Sequence, residues 1–154
     1  MADVHSKVVR SKNMRSIRAV DTKPELLLRK ALHNAGFRYR LHKKELPGKP
    51  DIVLTKHRTV IFVHGCFWHK HDCHLFKLPK TRSEWWLNKL TANRYRDLMV
   101  EDKLRENGWR VIVVWECALK GKLSVELPKL LTKISNWIER GNSNYLEIPE
   151  PDFC

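Results

Sequence analysis

Between His64 and His74 the chain places Cys66 and Cys73 among four histidines, His64, His69, His71 and His74, and wraps them around Phe67 and Trp68. A packed core has no use for that mixture. Metal binding, acid–base chemistry and base stacking do. Cys66, His71 and Cys73 have the spacing C-x4-H-x-C, and Cys117 lies just past the end of a later apolar run. Strand ends converge at one edge of a sheet, so a distant cysteine can meet a local cluster there. Three thiolates and one imidazole form a closed tetrahedral Cys3His site, the pattern of structural zinc. Such a site leaves no position for a reacting water, so its work would be to fold the loop carrying Phe67, Trp68 and His69. By spacing alone His69 or His74 could stand in for His71, and buried free cysteines are the plain alternative. Cys154 is left over.

A second group is acidic. Asp51 follows Pro50 and opens a strand, and the next strand ends at Val63-His64. A Pro-Asp followed by a residue pair on an adjacent strand is the layout of the PD-(D/E)xK nucleases, in which carboxylates hold a hard divalent cation against the scissile phosphate. The usual E-x-K is absent, and Val63-His64-Gly65 stands in its place. An aspartate after proline is more commonly a turn residue.

The elements that must position these groups follow from periodicity. Thr22-Lys-Pro-Glu25 has the form of a capping box with proline in the first turn, and Leu28, Ala31, Leu32 and Ala35 give the helix one apolar face. Phe37–Leu41, Asp51–Thr55 and Thr59–Val63 read as strands, with Leu46-Pro-Gly-Lys-Pro50 as a turn and a hairpin joining the last two. Thr81-Arg-Ser-Glu84 is a second capping-box candidate, opening a long polar helix to Asn107 whose apolar positions are Leu87, Leu90, Leu98 and Leu104. Arg110–Trp115 is the strongest strand. Leu127, Leu130, Leu131, Ile134 and Ile138 mark a closing helix. A mixed sheet with helices on its faces is the expected packing. The expected organisation is a basic arm over residues 1–20, a domain over 21–140, and a flexible acidic tail without periodicity over 141–154.

The totals bound the partners. The chain has 154 residues, 30 Lys+Arg against 17 Asp+Glu, and a formal charge of +13. That surplus on one small domain predicts a polyanion, most often nucleic acid. The first twenty residues carry Lys7, Arg10, Lys12, Arg15 and Arg18 against Asp3 alone, and read as an arm ordered on a partner. No apolar run approaches the ~20 residues of a membrane span, and no signal peptide opens the chain. A cytoplasmic, nucleoid-associated protein with reduced thiols is expected.

Ser11-Lys-Asn-Met-Arg15, Leu46-Pro-Gly-Lys-Pro-Asp51, Val60-Ile-Phe-Val-His-Gly-Cys-Phe-Trp-His69 and Gly108-Trp-Arg-Val-Ile-Val-Val-Trp-Glu-Cys117 together resemble the very short patch repair (Vsr) DNA mismatch endonucleases. The resemblance implies a variant restriction-endonuclease-like α/β fold with structural zinc. It also implies a Mg2+-dependent enzyme, acting as a monomer, that nicks one strand of double-stranded DNA on the 5′ side of the thymine in a T·G mismatch, with mismatch-repair proteins as candidate partners. By the same resemblance Asp51 and the carbonyl of Val63 would bind Mg2+, Glu25 and His64 would hold waters of that ion, and His69 would be the general acid/base. Cys66, His71, Cys73 and Cys117 would bind Zn2+. Phe67, Trp68 and Trp86 would wedge into the base stack, and Met14, Ile17, Lys89 and Asn93 would approach the mismatched pair. A zinc-stabilised DNA-binding protein without cleavage, and a nuclease of the same fold acting on unmodified or branched DNA, are the alternatives.

Overall fold

The computed structural model describes residues 22–121 and 124–151. The basic arm, with Met14 and Ile17, and the C-terminal Cys154 lie outside them. Five strands form one mixed sheet in the order β1-β2-β3-β4-β5. They are β1 (Arg40–Leu41), β2 (Ile52–Leu54), β3 (Thr59–His64), β4 (Arg110–Trp115) and β5 (Tyr145–Ile148). The first three pair antiparallel, whereas β3, β4 and β5 run parallel. Parallel neighbours need crossover connections. The β3–β4 connection carries the cysteine–histidine loop and helix α2 (Ser83–Glu106), and the β4–β5 connection carries α3 (Glu116–Leu119) and α4 (Leu127–Arg140). Helix α1 (Lys23–Asn34) precedes the sheet.

Strand alternation sorts the side chains onto two faces. Ile52, Leu54, Ile61, Ile112, Val114 and Ile148 point to one face, where they are buried with Leu28 and Leu32 of α1 and Leu130, Ile134 and Ile138 of α4. Val53, Val60, Phe62, Val111, Val113 and Trp115 point to the other, where Cys66, Cys117 and Leu104 of α2 join them. Both faces of β3 and β4 are therefore covered, which is why their sequences read as continuous apolar runs.

The sequence reading requires four corrections. Residues 141–154 were expected to be a flexible tail, but Tyr145–Ile148 form β5 against β4. Four residues with polar members on one face are too short to show a period. The strand expected over Phe37–Leu41 is confined to Arg40–Leu41. Helix α2 begins at Ser83, with Arg82, in the left-handed region and without a side-chain cap bond, as its cap residue in place of the expected Thr81. Leu87 and Leu98 are exposed, and the buried positions of α2 are Leu90, Glu101 and Leu104. By contrast, Thr22 does cap α1, its hydroxyl accepting from the Glu25 N–H at 3.4 Å.

Candidate active site and cysteine cluster

Asp51 reaches the end of β3 because β2 is shorter than β3. The antiparallel register pairs Ile52 with Ile61, so Phe62, Val63 and His64 run on past the start of β2. Val63 N–H donates instead to the carboxylate of Asp51, at 2.7 Å from Oδ2. A strand residue directs its N–H and C=O to the same edge, so the Val63 carbonyl opens beside Asp51. The turn before Asp51 packs on α2: at Gly48, with φ +72°, an added Cβ would collide with Val100. Burial pushes the Asp51 carboxyl up to about 7, with the Val63 N–H opposing and Glu25 adding to the rise. Glu25 is itself buried, and its Oε2 lies 3.0 Å from Arg29 and 3.1 Å from His42 Nε2. His42 Nδ1 is 3.9 Å from Asp51 Oδ1, so His42 bridges the two carboxylates. Desolvated carboxylates beside an open backbone carbonyl suit a hard, oxygen-seeking cation.

His64 and His69 lie across the same cavity, which is also lined by Lys49, Arg96, Asp97 and Glu101. Their rings stack 3.9 Å apart at 8°. Planes so nearly parallel meet only far outside the site, and an imidazole nitrogen points its lone pair within its own plane. The two rings therefore cannot share one ion. Burial, then the neighbouring His69 and Arg94, holds the His64 pKa well below 6.5, so His64 is neutral at pH 7. His69 Nδ1 sits 2.6 Å from Asp97 Oδ2. With Asp97 ionised the proton belongs to Nδ1, which leaves the Nε2 lone pair to accept a proton.

Asp97, His42 and Trp115 escaped the sequence reading. A signal for Asp97 was present. Leu90, Asp97 and Leu104 are spaced by seven, as are Arg94 and Glu101, so the inward stripe of α2 is interrupted by charge. A buried helix stripe that turns polar lines something other than core.

Cys66, His71, Cys73 and Cys117 converge, one ligand atom from each lying within 4.8 Å of the others. His71 Nδ1 is 3.5 Å from both Cys66 Sγ and Cys117 Sγ. A tetrahedral zinc with Zn–S of about 2.3 Å and Zn–N of about 2.0 Å sets S···N edges of roughly 3.5 Å, so the spacing fits. Burial raises the Cys66 thiol to about 12, a site where thiolates need a cation. Geometry thus brings His71, rather than His69 or His74, to the cysteines. The His74 ring instead packs by Gly121, and its nitrogens have no hydrogen-bond partner among the described residues.

The same loop presents the aromatics. Phe67 makes edge contacts with Trp68 at 5.1 Å and with Trp86 at 5.4 Å, and Trp86 meets the exposed Trp85 at 4.9 Å. Phe67, Trp68 and Trp86 are each only half-buried, so Trp86 is not simply a core residue of its helix. Asn93 Nδ2 donates to the Trp68 carbonyl at 3.1 Å, tying the loop to α2. Lys89 is exposed on α2.

Residues 2–75 match the family described as DNA mismatch endonuclease Vsr. The chain is 49% identical over 138 residues to the DNA mismatch endonuclease Vsr of Escherichia coli K12, covering 90% of this chain and 88% of that protein. It is 49% identical over 120 residues to the type II nicking enzyme V.XorIIP of Xanthomonas oryzae, covering 77% and 88% respectively. It is also 49% identical over 122 residues to the type II nicking enzyme V.NmeAIP of Neisseria meningitidis, covering 79% and 87%.

Proposed function

The chain belongs to the Vsr family of DNA mismatch endonucleases and is a DNA endonuclease, and from that premise we propose that it nicks one strand 5′ of the thymine in a T·G mismatch. Such mismatches arise when 5-methylcytosine deaminates, so the reaction would initiate very short patch repair. The observation that carries this reading is the joining of two sites by one loop: a cavity with Asp51, His64 and His69, and a half-buried aromatic cluster of Phe67, Trp68 and Trp86 on the loop that carries His69 and the helix after it.

Asp51 and the Val63 carbonyl are the residues that would hold Mg2+, with Glu25 and His64 orienting water around it. When bound, that ion supplies charge stabilisation at the phosphate and lowers the pKa of a water. His69, held by Asp97, takes the proton of the attacking water through Nε2. The water oxygen bonds to phosphorus, the P–O3′ bond breaks, and the departing 3′ oxygen takes a proton from solvent, to which His69 later returns the one it accepted; the products are a 3′-hydroxyl and a 5′-phosphate. Neutral His64 stacked on His69 leaves the second ring able to accept that proton without a charged neighbour against it. Lys49 and Arg96 at the cavity give positive potential for the backbone.

Phe67, Trp68 and Trp86 wedge into the stack. Opening a base step costs roughly a few kcal/mol, and less where pairing is already imperfect, so selection for a mismatch is partly mechanical. The Cys66, His71, Cys73 and Cys117 cluster holds Zn2+ and keeps the wedge and His69 in register. Met14 and Ile17 on the arm, with Lys89 and Asn93, approach the mismatched pair. The protein works as a monomer on DNA in the cytoplasm. No helix among the described residues is long and apolar enough to cross a membrane.

The test is a cleavage panel of T·G duplexes in randomised flanking sequence with Mg2+, against fully paired controls. Nicking 5′ of the mismatched thymine is expected. Equal cutting of paired or branched DNA would reassign the substrate, and binding without nicking would leave a site-marking protein.

A further inference from the structure

Behind the cavity the wall is polar where an apolar one would pack as well. Tyr145 and Glu147 alternate with Leu146 and Ile148 along β5, so both point to the α2 side of the sheet. Glu147 Oε1 accepts from the indole Nε1–H of Trp115 at 2.9 Å. Trp115 is the surface on which the site rests. It is fully buried and pairs in register with His64 across β3 and β4. Its ring meets His64 edge-on at 5.3 Å and His69 at 6.3 Å, and His71 stacks flat on it at 4.0 Å. The Arg94 guanidinium lies 5.5 Å from the same ring.

The second connection runs through Glu101. It sits one helical turn beyond Asp97, lines the cavity and is 2% exposed. Burial pushes its carboxyl up to about 7, the nearby Tyr145 hydroxyl opposes that rise, and Oε2 has no hydrogen-bond partner among the described residues. Buried polar groups are costly unless bonded, and a bonded pair fixes an orientation that packing alone leaves open. An indole anchored at its one N–H cannot turn over without breaking that bond.

We propose that β5 is a positioning element of the nicking reaction: Glu147 through Trp115, and Tyr145 through Glu101, set the orientation of His64, His69 and Asp97. Neither residue touches substrate. The proposal rests on the reading of this cavity as the nicking site. Misplacing a reacting group by about 1 Å can cost about 10²-fold in rate, so a wall that tilts matters without any contact being lost at the phosphate.

The test uses the full chain, zinc-loaded, with Mg2+ and a T·G duplex, reading single-turnover nicking and DNA affinity separately. Glu147→Ala is expected to slow nicking by roughly 10- to 100-fold with affinity and zinc content unchanged. Glu147→Gln, whose amide oxygen still accepts from the indole, is expected to restore the rate. Tyr145→Phe, the smallest change, is expected to slow nicking several-fold, roughly, again without loss of affinity. The histidine ring resonances of His64 and His69 should move in Glu147→Ala and return in Glu147→Gln, a readout independent of cleavage. A wild-type protein that does not nick T·G overturns the functional reading and leaves these resonances to judge the wall. Nicking at the wild-type rate in both Glu147→Ala and Tyr145→Phe, or a rate loss matched by equal loss of affinity, overturns the proposal. If Glu147→Ala does not fold, Tyr145→Phe at the wild-type rate overturns it alone.

Discussion

His69 and Asp97 come from opposite ends of a crossover connection and meet at 2.6 Å, Nδ1 to Oδ2. The contact fixes which nitrogen of His69 carries the proton and therefore which one acts. Asp97→Asn places a neutral amide there and removes the charge that holds the tautomer. Nicking is expected to fall by about 10²-fold or more, within the range of general acid–base catalysis. DNA affinity should hold. A variant that nicks at the wild-type rate would take His69 out of the proton transfer as drawn.

Asp51 carries two linked expectations. Asp51→Ala should abolish nicking and keep mismatch binding in a gel-shift assay; full activity would remove it from the mechanism. The second concerns pH. Burial raises the Asp51 carboxyl from 3.8 to about 7. The folded chain therefore keeps a proton that the unfolded chain releases, and stability without divalent cation should fall as pH rises from about 4 to about 7. Glu101, also raised to about 7, adds a slope of the same sign. Mg2+ favours the ionised carboxylate, so it should raise the melting temperature at pH 8 and not at pH 4. Melts of Asp51→Asn should show a shallower slope and no Mg2+ shift; an unchanged shift would place the ion elsewhere.

The cysteine cluster predicts about one zinc per chain by elemental analysis. Cys117→Ser should lose the metal and much of its solubility, since Cys117 is fully buried beside His71. Zinc at full occupancy in that variant would exclude this ligand set.

For the wedge, Trp68→Ala should narrow the ratio of mismatched to paired DNA affinity while non-specific binding changes little, because base stacking is worth roughly 1–3 kcal/mol per base. Asn93→Ala, which frees the Trp68 carbonyl, should move the ratio in the same direction by less. An unchanged ratio for Trp68→Ala would sink the mechanical account of selection.

What the chain disclosed in advance depended on whether a group's neighbours were local in sequence. Cys66 and Cys73 were readable from spacing, His71 only as one of three candidate histidines until the family resemblance singled it out, and Cys117 from its place after a strand. The β3 and β4 strands were readable as apolar runs, and the α4 stripe from its 3.6 period. Asp97 was not picked out, because a lone aspartate on a charged helix looks solvated until Leu90 and Leu104 are known to face inward. His42 was not, because its meeting with Glu25 and Asp51 depends on how α1 and β1 pack. Strand β5 was missed because its inward members, Tyr145 and Glu147, are polar, and their partners Glu101 and Trp115 lie far back in the chain.

The unequal lengths of β2 and β3 leave Val63 with a neighbouring strand on one side and a carboxylate on the other. That makes one main-chain amide a built-in gauge of the site. Anything that draws the Asp51 carboxylate away, whether an ion, a proton or a phosphate approaching from solvent, must loosen the grip on a single N–H. The neighbouring amides of the ladder stay bonded to backbone and serve as the unmoving reference.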